Sequence, residues 1–261
     1  MPGYAHWAAV VCHGGPLCLL DEPFSVLAQV DSTPKRPAVF VHPKYDKKVF
    51  PQNDFTLIRL DLNKAPLVYY KRVNRTELVG ISLQQFQAYL RTHRAAAAKL
   101  RRVMSGDLPP IVAFDDDTYL IDRKLSVISI FDGVRDVKQN PYKAYYVKDL
   151  GFAYTQNFGI RKGMSGSGVM TNTGELIGVV SGTLNWQRYS SAQGKTEEKD
   201  FFLFLAFNKS VRAFMESVMG SDYYKLDFKD AYPQFIKHGV RGNHSLIRQG
   251  VRDVRNKNKK K

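Results

Sequence analysis

Cysteine is nearly absent from this sequence: among 261 residues only Cys12 and Cys18 are cysteines. Two cysteines are too few for a disulfide framework, which excludes the small secreted domains that disulfides hold together. No signal-peptide pattern precedes them. We therefore expect an intracellular, reducing compartment, in which the Asn-x-Ser/Thr sequences at Asn74, Asn208 and Asn243 carry no sugar.

Long hydrophobic runs are also missing, and acidic residues are scarce. No apolar run approaches the roughly 18 residues of a membrane span, so none is predicted. Asp and Glu total 24 against 39 Lys and Arg, which gives a net charge of +15 and favours an anionic partner such as nucleic acid or an acidic membrane. The scattered histidines and two cysteines show no metal-ligand spacing, so we predict neither a metal nor another cofactor.

The sequence is rich in short strand patterns, and its apolar fraction of 44% is typical of a globular protein. Within residues 1–83 we predict strands at 7–11, 24–30, 37–41, 54–60 and 77–83. Short strands separated by turns, without helical spacing, predict an all-β barrel or sandwich.

A second β unit is predicted over residues 111–220, after a linker at 84–110. The linker contains an amphipathic basic helix at 84–104, because apolar residues recur there at helical spacing among arginines and lysines. Strands are predicted at 111–114, 118–121, 125–130, 144–147, 175–181 and 201–207. A short helix at 210–219, capped by Asn208 or Ser210 and stopped by Gly220, ends this unit.

Residues 221–261 are predicted to form a basic tail whose last residues are disordered. Tyrosines and a phenylalanine alternate there with lysines and arginines. Such a mixture either contacts RNA by charge and stacking or serves as a solubilising linker. The basic set of the 84–104 helix is in the same way either a solvated face or a binding surface.

The stretch with the clearest chemistry is residues 163–168, Gly-Met-Ser-Gly-Ser-Gly. Glycines let the backbone bend sharply and turn N–H groups towards the place where an oxyanion would form, as a nucleophilic serine requires. By itself the motif also fits an ordinary Gly/Ser turn. Ser165 therefore needs partners elsewhere in the chain.

Acyl transfer by a serine requires a base to take the hydroxyl proton and a carboxylate to orient that base. His13 follows the first predicted strand, Asp54 opens a strand in the same unit, and Ser165 lies in the second unit. His6 is a rival for the base, since it suits the spacing to Asp54 about as well. The order His, Asp, Ser over two β units is that of a known catalytic triad.

Several stretches resemble the chymotrypsin/trypsin-like serine protease family. Residues 7–13 are similar to the strand and turn that carry the family's catalytic histidine. Residues 42–46 and 53–60 resemble its His-Pro-x-Tyr segment and its Asn-Asp-Ile-x-Leu-Ile-Lys-Leu strand. Residues 163–168 and 178–181 resemble Gly-Asp-Ser-Gly-Gly and the Gly-Ile-Val-Ser strand beside the specificity pocket. The likeness covers about residues 7–219.

The resemblance implies two six-stranded antiparallel β-barrels and a serine endopeptidase acting on a polypeptide. His13 would be the general base, Asp54 its orienting carboxylate and Ser165 the nucleophile. The N–H groups of Gly163 and Ser165 would form the oxyanion hole.

The same resemblance places the substrate pocket at Gly159, Ser181, Gly182 and Thr183. Gly159, six residues before Ser165, occupies the pocket floor and carries no carboxylate. We therefore expect an uncharged P1 residue, apolar or polar.

The departures from the family refine the hypothesis. Met164 replaces the aspartate that pairs with a freed N-terminus, so activation by N-terminal cleavage is not expected. The His-Gly turn resembles that of viral chymotrypsin-like proteases, which suggests a virus-encoded enzyme that processes a polyprotein in the host cytoplasm. Compared with the family, the sequence begins only a few residues before the strand that carries the histidine. We therefore expect that a partner chain supplies the first strands of barrel one, that the sequence is a fragment, or that the barrel is incomplete. The competing hypothesis is a non-catalytic protease-fold protein that binds nucleic acid through the basic helix and tail.

Overall fold

The computed structural model describes most of the chain. The described ranges are residues 6–10, 17–21, 24–28, 39–46, 52–60, 67–73, 78–95, 97–98, 109–115, 117–131, 134–161, 164–190, 195–231, 236–238 and 242–259. Cys12, His13 and Gly163 lie outside these ranges.

The N-terminal unit consists of two small antiparallel sheets. Its strands are β1 His6–Val10, β2 Leu17–Asp21, β3 Phe24–Ala28, β4 Val39–Val41, β5 Thr56–Leu60, β6 Leu67–Arg72 and β7 Leu78–Gly80. One sheet has the order β1-β5-β4 and the other the order β2-β3-β6-β7. Seven strands are described in this unit, whereas five were predicted within residues 1–83, since β2 and β6 were not predicted.

The predicted linker helix begins where its sequence allows a capped start. Helix α1 spans Leu83–Thr92, and Ser82 forms a capping box with Gln85: each side chain bonds the other residue's backbone N–H. Phe86 and Tyr89 are its buried residues, and the Phe86 ring lies 5.0 Å from that of Tyr69 in β6. The helix therefore packs on the second small sheet.

Over the described residues, the C-terminal unit is built on one large mixed sheet of eleven strands, so the expected count of six is wrong for this unit. They are β8 Ile111–Phe114, β9 Tyr119–Ile121, β10 Leu125–Phe131, β11 Val134–Asn140, β12 Ala144–Val147, β13 Phe152–Gln156, β14 Gly168–Thr171, β15 Leu176–Ser190, β16 Lys195–Asn208, β17 Phe228–Asp230 and β18 Ile236–His238. The order is β11-β10-β14-β15-β8-β16-β13-β12-β9-β18, with β17 beside β8.

The expectation of purely antiparallel strands is wrong at one place. β8 forms parallel pairings with β16 and β17, and a single parallel pairing with β15, between Ile111 and Leu176 at the start of each strand. The other described pairings of this sheet are antiparallel. A mostly β architecture is thus confirmed, and over the described residues the strand order is an open one.

The long hairpin of β15 and β16 separates two hydrophobic cores. Phe201, Leu203, Leu205 and Phe207 belong to the first core, whereas Phe202, Phe204 and Ala206 belong to the second. The run 201–207 contains no polar residue because strand side chains alternate and both faces of β16 are covered. Phe55 and Leu57 of the N-terminal unit join the first core, which ties the two units together.

Two helices cover the first core. Helix α2, Lys209–Met219, is capped by the Asn208 side chain and ends before Gly220, as predicted. Helix α3 spans His244–Lys259 and buries Ile247 and Val251. The prediction that the last residues are disordered is therefore wrong up to residue 259, because this helix has an apolar side that packs on β15. Among the described residues, no helix is long and apolar enough to cross a membrane.

Candidate active site

Asp54 is held at the start of β5 by a strained turn and a large buried neighbour. Asn53 adopts φ +55°, a left-handed conformation that asparagine tolerates better than most residues. Its side-chain amide donates to the carbonyl of Lys44. Phe55, only 1% exposed, fixes the next position by edge-on contacts with Phe207 and Phe214. Asp54 itself is buried, with 8% exposed.

The Ser165 loop is anchored on both sides of the serine. Met164 is fully buried in the second core, so the residue before Ser165 acts as an apolar anchor. Gly166 adopts φ +87°, which requires glycine, and its N–H donates to the carbonyl of Val180. The N–H of Val180 donates in return to the carbonyl of Ser167. The loop is therefore fastened to β15 immediately before Ser181.

Ser181 connects the two predicted catalytic residues. Its Oγ donates to Oδ2 of Asp54 at 2.9 Å, across the boundary between the two units. Its carbonyl accepts a hydrogen bond from Oγ of Ser165 at 3.2 Å. Asp54 and Ser165, 111 positions apart in the sequence, thus meet around one residue.

Ser181 owes this position to a β-bulge. Val180 pairs with Phe204, and Gly182 pairs with Leu203, the residue directly before Phe204. Ser181 is therefore the extra residue of β15 at this point. A bulge re-aims a side chain that regular alternation would place elsewhere. Ser181 was predicted as a pocket residue, but its bonds to Asp54 and Ser165 were not foreseen, since no sequence signal marks the bulge.

The backbone register of β1 bears on the choice between the two candidate bases. His13 lies outside the described residues, and only the backbone of His6 is described. β1 pairs with β5 so that Val10 lies opposite Thr56 and His6 opposite Leu60. His6 therefore lies at the end of the strand pair that is distant from Asp54. At about 3.3 Å per residue, it is roughly 13 Å further along the strand than Val10.

Gly163 also lies outside the described residues, whereas the predicted pocket residues are described. Gly159 is exposed at φ +102° and lies beside the Lys138 side chain. Gly182 is half-buried and Thr183 exposed, both paired with β16. A single pocket formed by these residues stays a prediction.

His42, the first residue of the segment that resembles His-Pro-x-Tyr, lies in a loop and is buried, with 3% exposed. Its Nδ1 accepts the N–H of Lys44, and Nε2 faces Oγ of Ser210 at 3.4 Å. Its ring packs edge-on against Phe214 of α2. Burial lowers the pKa of His42, the hydrogen bond with Ser210 opposes this, and the Lys44 cation adds to it.

Within the described ranges no group of three or more His, Cys, Asp or Glu side chains is arranged to hold a metal ion. Comparison of the chain with protein-family models, with curated proteins and with solved structures finds no match. The geometry around Ser181 is therefore the main guide to function.

Proposed function

We propose that this protein is a serine endopeptidase of the chymotrypsin-like type, with Ser165 as nucleophile, Asp54 as orienting carboxylate and His13 as general base. The supporting observation is that Ser181 contacts both Asp54 and Ser165. A nucleophile from one unit and a carboxylate from the other are thus held at a common point. Closure of each unit into a barrel belongs to the same proposal.

In the proposed reaction, Ser165 Oγ attacks the scissile carbonyl carbon while His13 accepts the hydroxyl proton. His13 then gives this proton to the departing amine, and water hydrolyses the acyl-enzyme by the reverse proton path. The N–H groups of Gly163 and Ser165 stabilise the oxyanion. Buried Met164 makes the loop independent of a charged N-terminus, so we expect a site that needs no zymogen cleavage.

A fluorophosphonate probe tests the nucleophile directly, because it reacts only with activated serines. We expect labelling of the wild-type chain and none of Ser165→Ala. Asp54→Asn should slow labelling by up to about 10⁴-fold, as the loss of the carboxylate does in the standard triad. Ser181→Ala should slow it less, because it removes only the bond that holds Asp54.

Ser167→Ala is the matched control, since it removes a second hydroxyl from the same loop and should label like the wild type. Circular dichroism checks that each variant is folded. An unlabelled but folded wild-type chain, or labelling that survives in Ser165→Ala, would overturn the proposal. A peptide library then tests the pocket: cleavage mainly after Arg, Lys, Asp or Glu would contradict the expected uncharged P1 residue.

A further inference from the structure

A cleft of about 590 Å³ opens beside the sheet, separate from the Ser181 contacts. It lies between β12, β13, the outer half of β16 and the start of α3. Its walls are Tyr142, Lys143, Tyr145, Tyr154, Gln156, Asn157, Glu198, Lys199, Asp200, Phe201 and Asn243. This volume is within the range of small-ligand sites, which is about 300–1,000 Å³.

One side of the cleft is aromatic and rigid. Tyr145 and Tyr154 stack with ring centroids 5.4 Å apart, and Oη of Tyr154 is 2.9 Å from Nδ1 of His244. Tyr142, at the rim, is 40% exposed. An exposed tyrosine beside a fixed aromatic pair offers a flat surface on which a planar ring can stack.

The polar groups of the cleft match the edges of nucleobases. Glu198 and Asp200 bring carboxylate acceptors for exocyclic amino groups, whereas the amides of Gln156 and Asn243 can donate and accept. The Asn157 amide is already bonded, to Ile160 and Asp200 through its nitrogen and to two backbone N–H groups through its oxygen. Lys143 and Lys199 supply positive charge for a phosphate. A ring with amino and carbonyl substituents and an attached phosphate would use all three sets of groups.

Helix α3 leads away from this cleft with a cationic outer face. Its sequence carries five cationic residues, Arg248, Arg252, Arg255, Lys257 and Lys259, and one acidic residue, Asp253. Arg248 and Arg252 are exposed one helical turn apart. Arg248 also pairs with the exposed Asp149 carboxylate, Nη2 to Oδ2 at 3.1 Å, so a phosphate would have to share or replace this partner. Nε and Nη2 of Arg255 are buried, so Arg255 does not belong to this exposed pair.

We propose that this cleft and the outer face of α3 form a binding site for single-stranded nucleic acid. A base enters the cleft and stacks on Tyr142, and the phosphates follow Arg248 and Arg252 along the helix. The site stands apart from the Ser165 region and does not depend on proteolytic activity.

The distribution of apolar residues on α3 favours nucleic acid over a membrane surface. Leu246, Ile247, Val251 and Val254 all pack into or against the first core. A membrane-binding amphipathic helix needs such residues free to enter the lipid boundary. What α3 presents outward is mainly charge, and the cleft beside it adds stacking surface.

Fluorescence anisotropy with labelled 20-nucleotide single-stranded RNA and DNA tests the site on the full chain. We expect binding that weakens with salt and is stronger for single strands than for a duplex of equal length. Arg248→Gln/Arg252→Gln should weaken binding about ten-fold or more. It should also reduce the slope of log K against log salt by about 0.7 for each phosphate that the protein no longer neutralises.

Tyr142→Ala tests the cleft, and we expect a loss on the order of ten-fold for single strands, from one stacked base. The matched control is Arg123→Gln/Lys124→Gln, which removes two exposed charges from the turn between β9 and β10 and should bind like the wild type. Three results would overturn the proposal. They are equal losses of binding in the control and in the α3 variant, unchanged binding in Tyr142→Ala, and binding to phosphatidylserine vesicles without binding to either single strand.

Discussion

At the scale of single residues, the candidate site depends on Ser181 more than its sequence position suggests. Its hydroxyl stabilises a buried carboxylate, and hydrogen bonds to charged groups typically contribute about 1.5–3 kcal/mol. Asp54 and Ser165 were predictable because both lie in motifs with recognisable neighbours. Ser181's contacts were not, because they arise from a bulge that depends on how β15 pairs with β16.

His42 shows how burial converts a loop residue into a structural one. Because Nδ1 accepts the Lys44 N–H, the neutral ring carries its proton on Nε2, towards Ser210. A second proton on Nδ1 would break the bond from Lys44 and place a charge beside the Lys44 ammonium group. The lowered pKa of His42 follows from burial first and from this cation as well.

His42 should therefore make the protein less stable in mild acid. Its folded-state pKa is below the ordinary 6.5, so the unfolded chain binds the proton more readily. The stability that neutral His42 contributes is fully present above pH 6.5. As the pH decreases from 6.5 towards the folded-state pKa, the free energy of unfolding falls by at most about 1.4 kcal/mol per pH unit for this one proton. Urea unfolding of His42→Asn should show a flatter pH dependence in this window. An equal slope in both proteins would contradict this assignment.

At the scale of elements, prediction succeeded for several buried strands and failed mainly for polar ones, although the buried strand β13 was missed as well. The apolar run 201–207 was correctly predicted as a strand because both faces of β16 are buried. β11, Val134–Asn140, was missed because it is at the end of the sheet order and its sequence is mostly polar. Edge strands carry charges that obscure the hydrophobic pattern. The outer half of β16, Lys195–Asp200, was missed for the same reason of polarity.

The pairing of β15 with β16 is close enough that Gly178 has no space for a side chain. A Cβ there would lie 2.5 Å from the Leu205 carbonyl oxygen and 2.7 Å from a ring carbon of Phe204. Gly178→Ala should thus cost about 1–3 kcal/mol in free energy of unfolding, as overpacking does. Gly80→Ala in β7 is the control, since nothing lies within 4 Å of that Cβ. Equal urea midpoints for the two variants would refute the close packing.

At the scale of the whole molecule, the first core is what positions the candidate site. It contains Phe55 next to Asp54, the β15–β16 face beyond Ser181, and residues of α2 and α3. Residues 221–261 were predicted to be a tail because of their charge. The structure shows that charge lies on one side of α3 and apolar residues on the other, a 3.6-residue pattern that high charge density obscures.

Helix α3 should consequently contribute to the stability of the entire fold. Ile247 is fully buried in the first core, so Ile247→Ala removes packed atoms that the surrounding β15 residues cannot replace. We expect a loss of about 2–5 kcal/mol in free energy of unfolding, measured by urea denaturation. Gln249→Ala, on the exposed side of the same helix, should change it by no more than about 0.5 kcal/mol. Because the first core also holds Phe55, Ile247→Ala should lower fluorophosphonate labelling of Ser165 at urea concentrations that leave Gln249→Ala fully labelled. Coincident urea midpoints for the two variants would mean that α3 folds independently of the core.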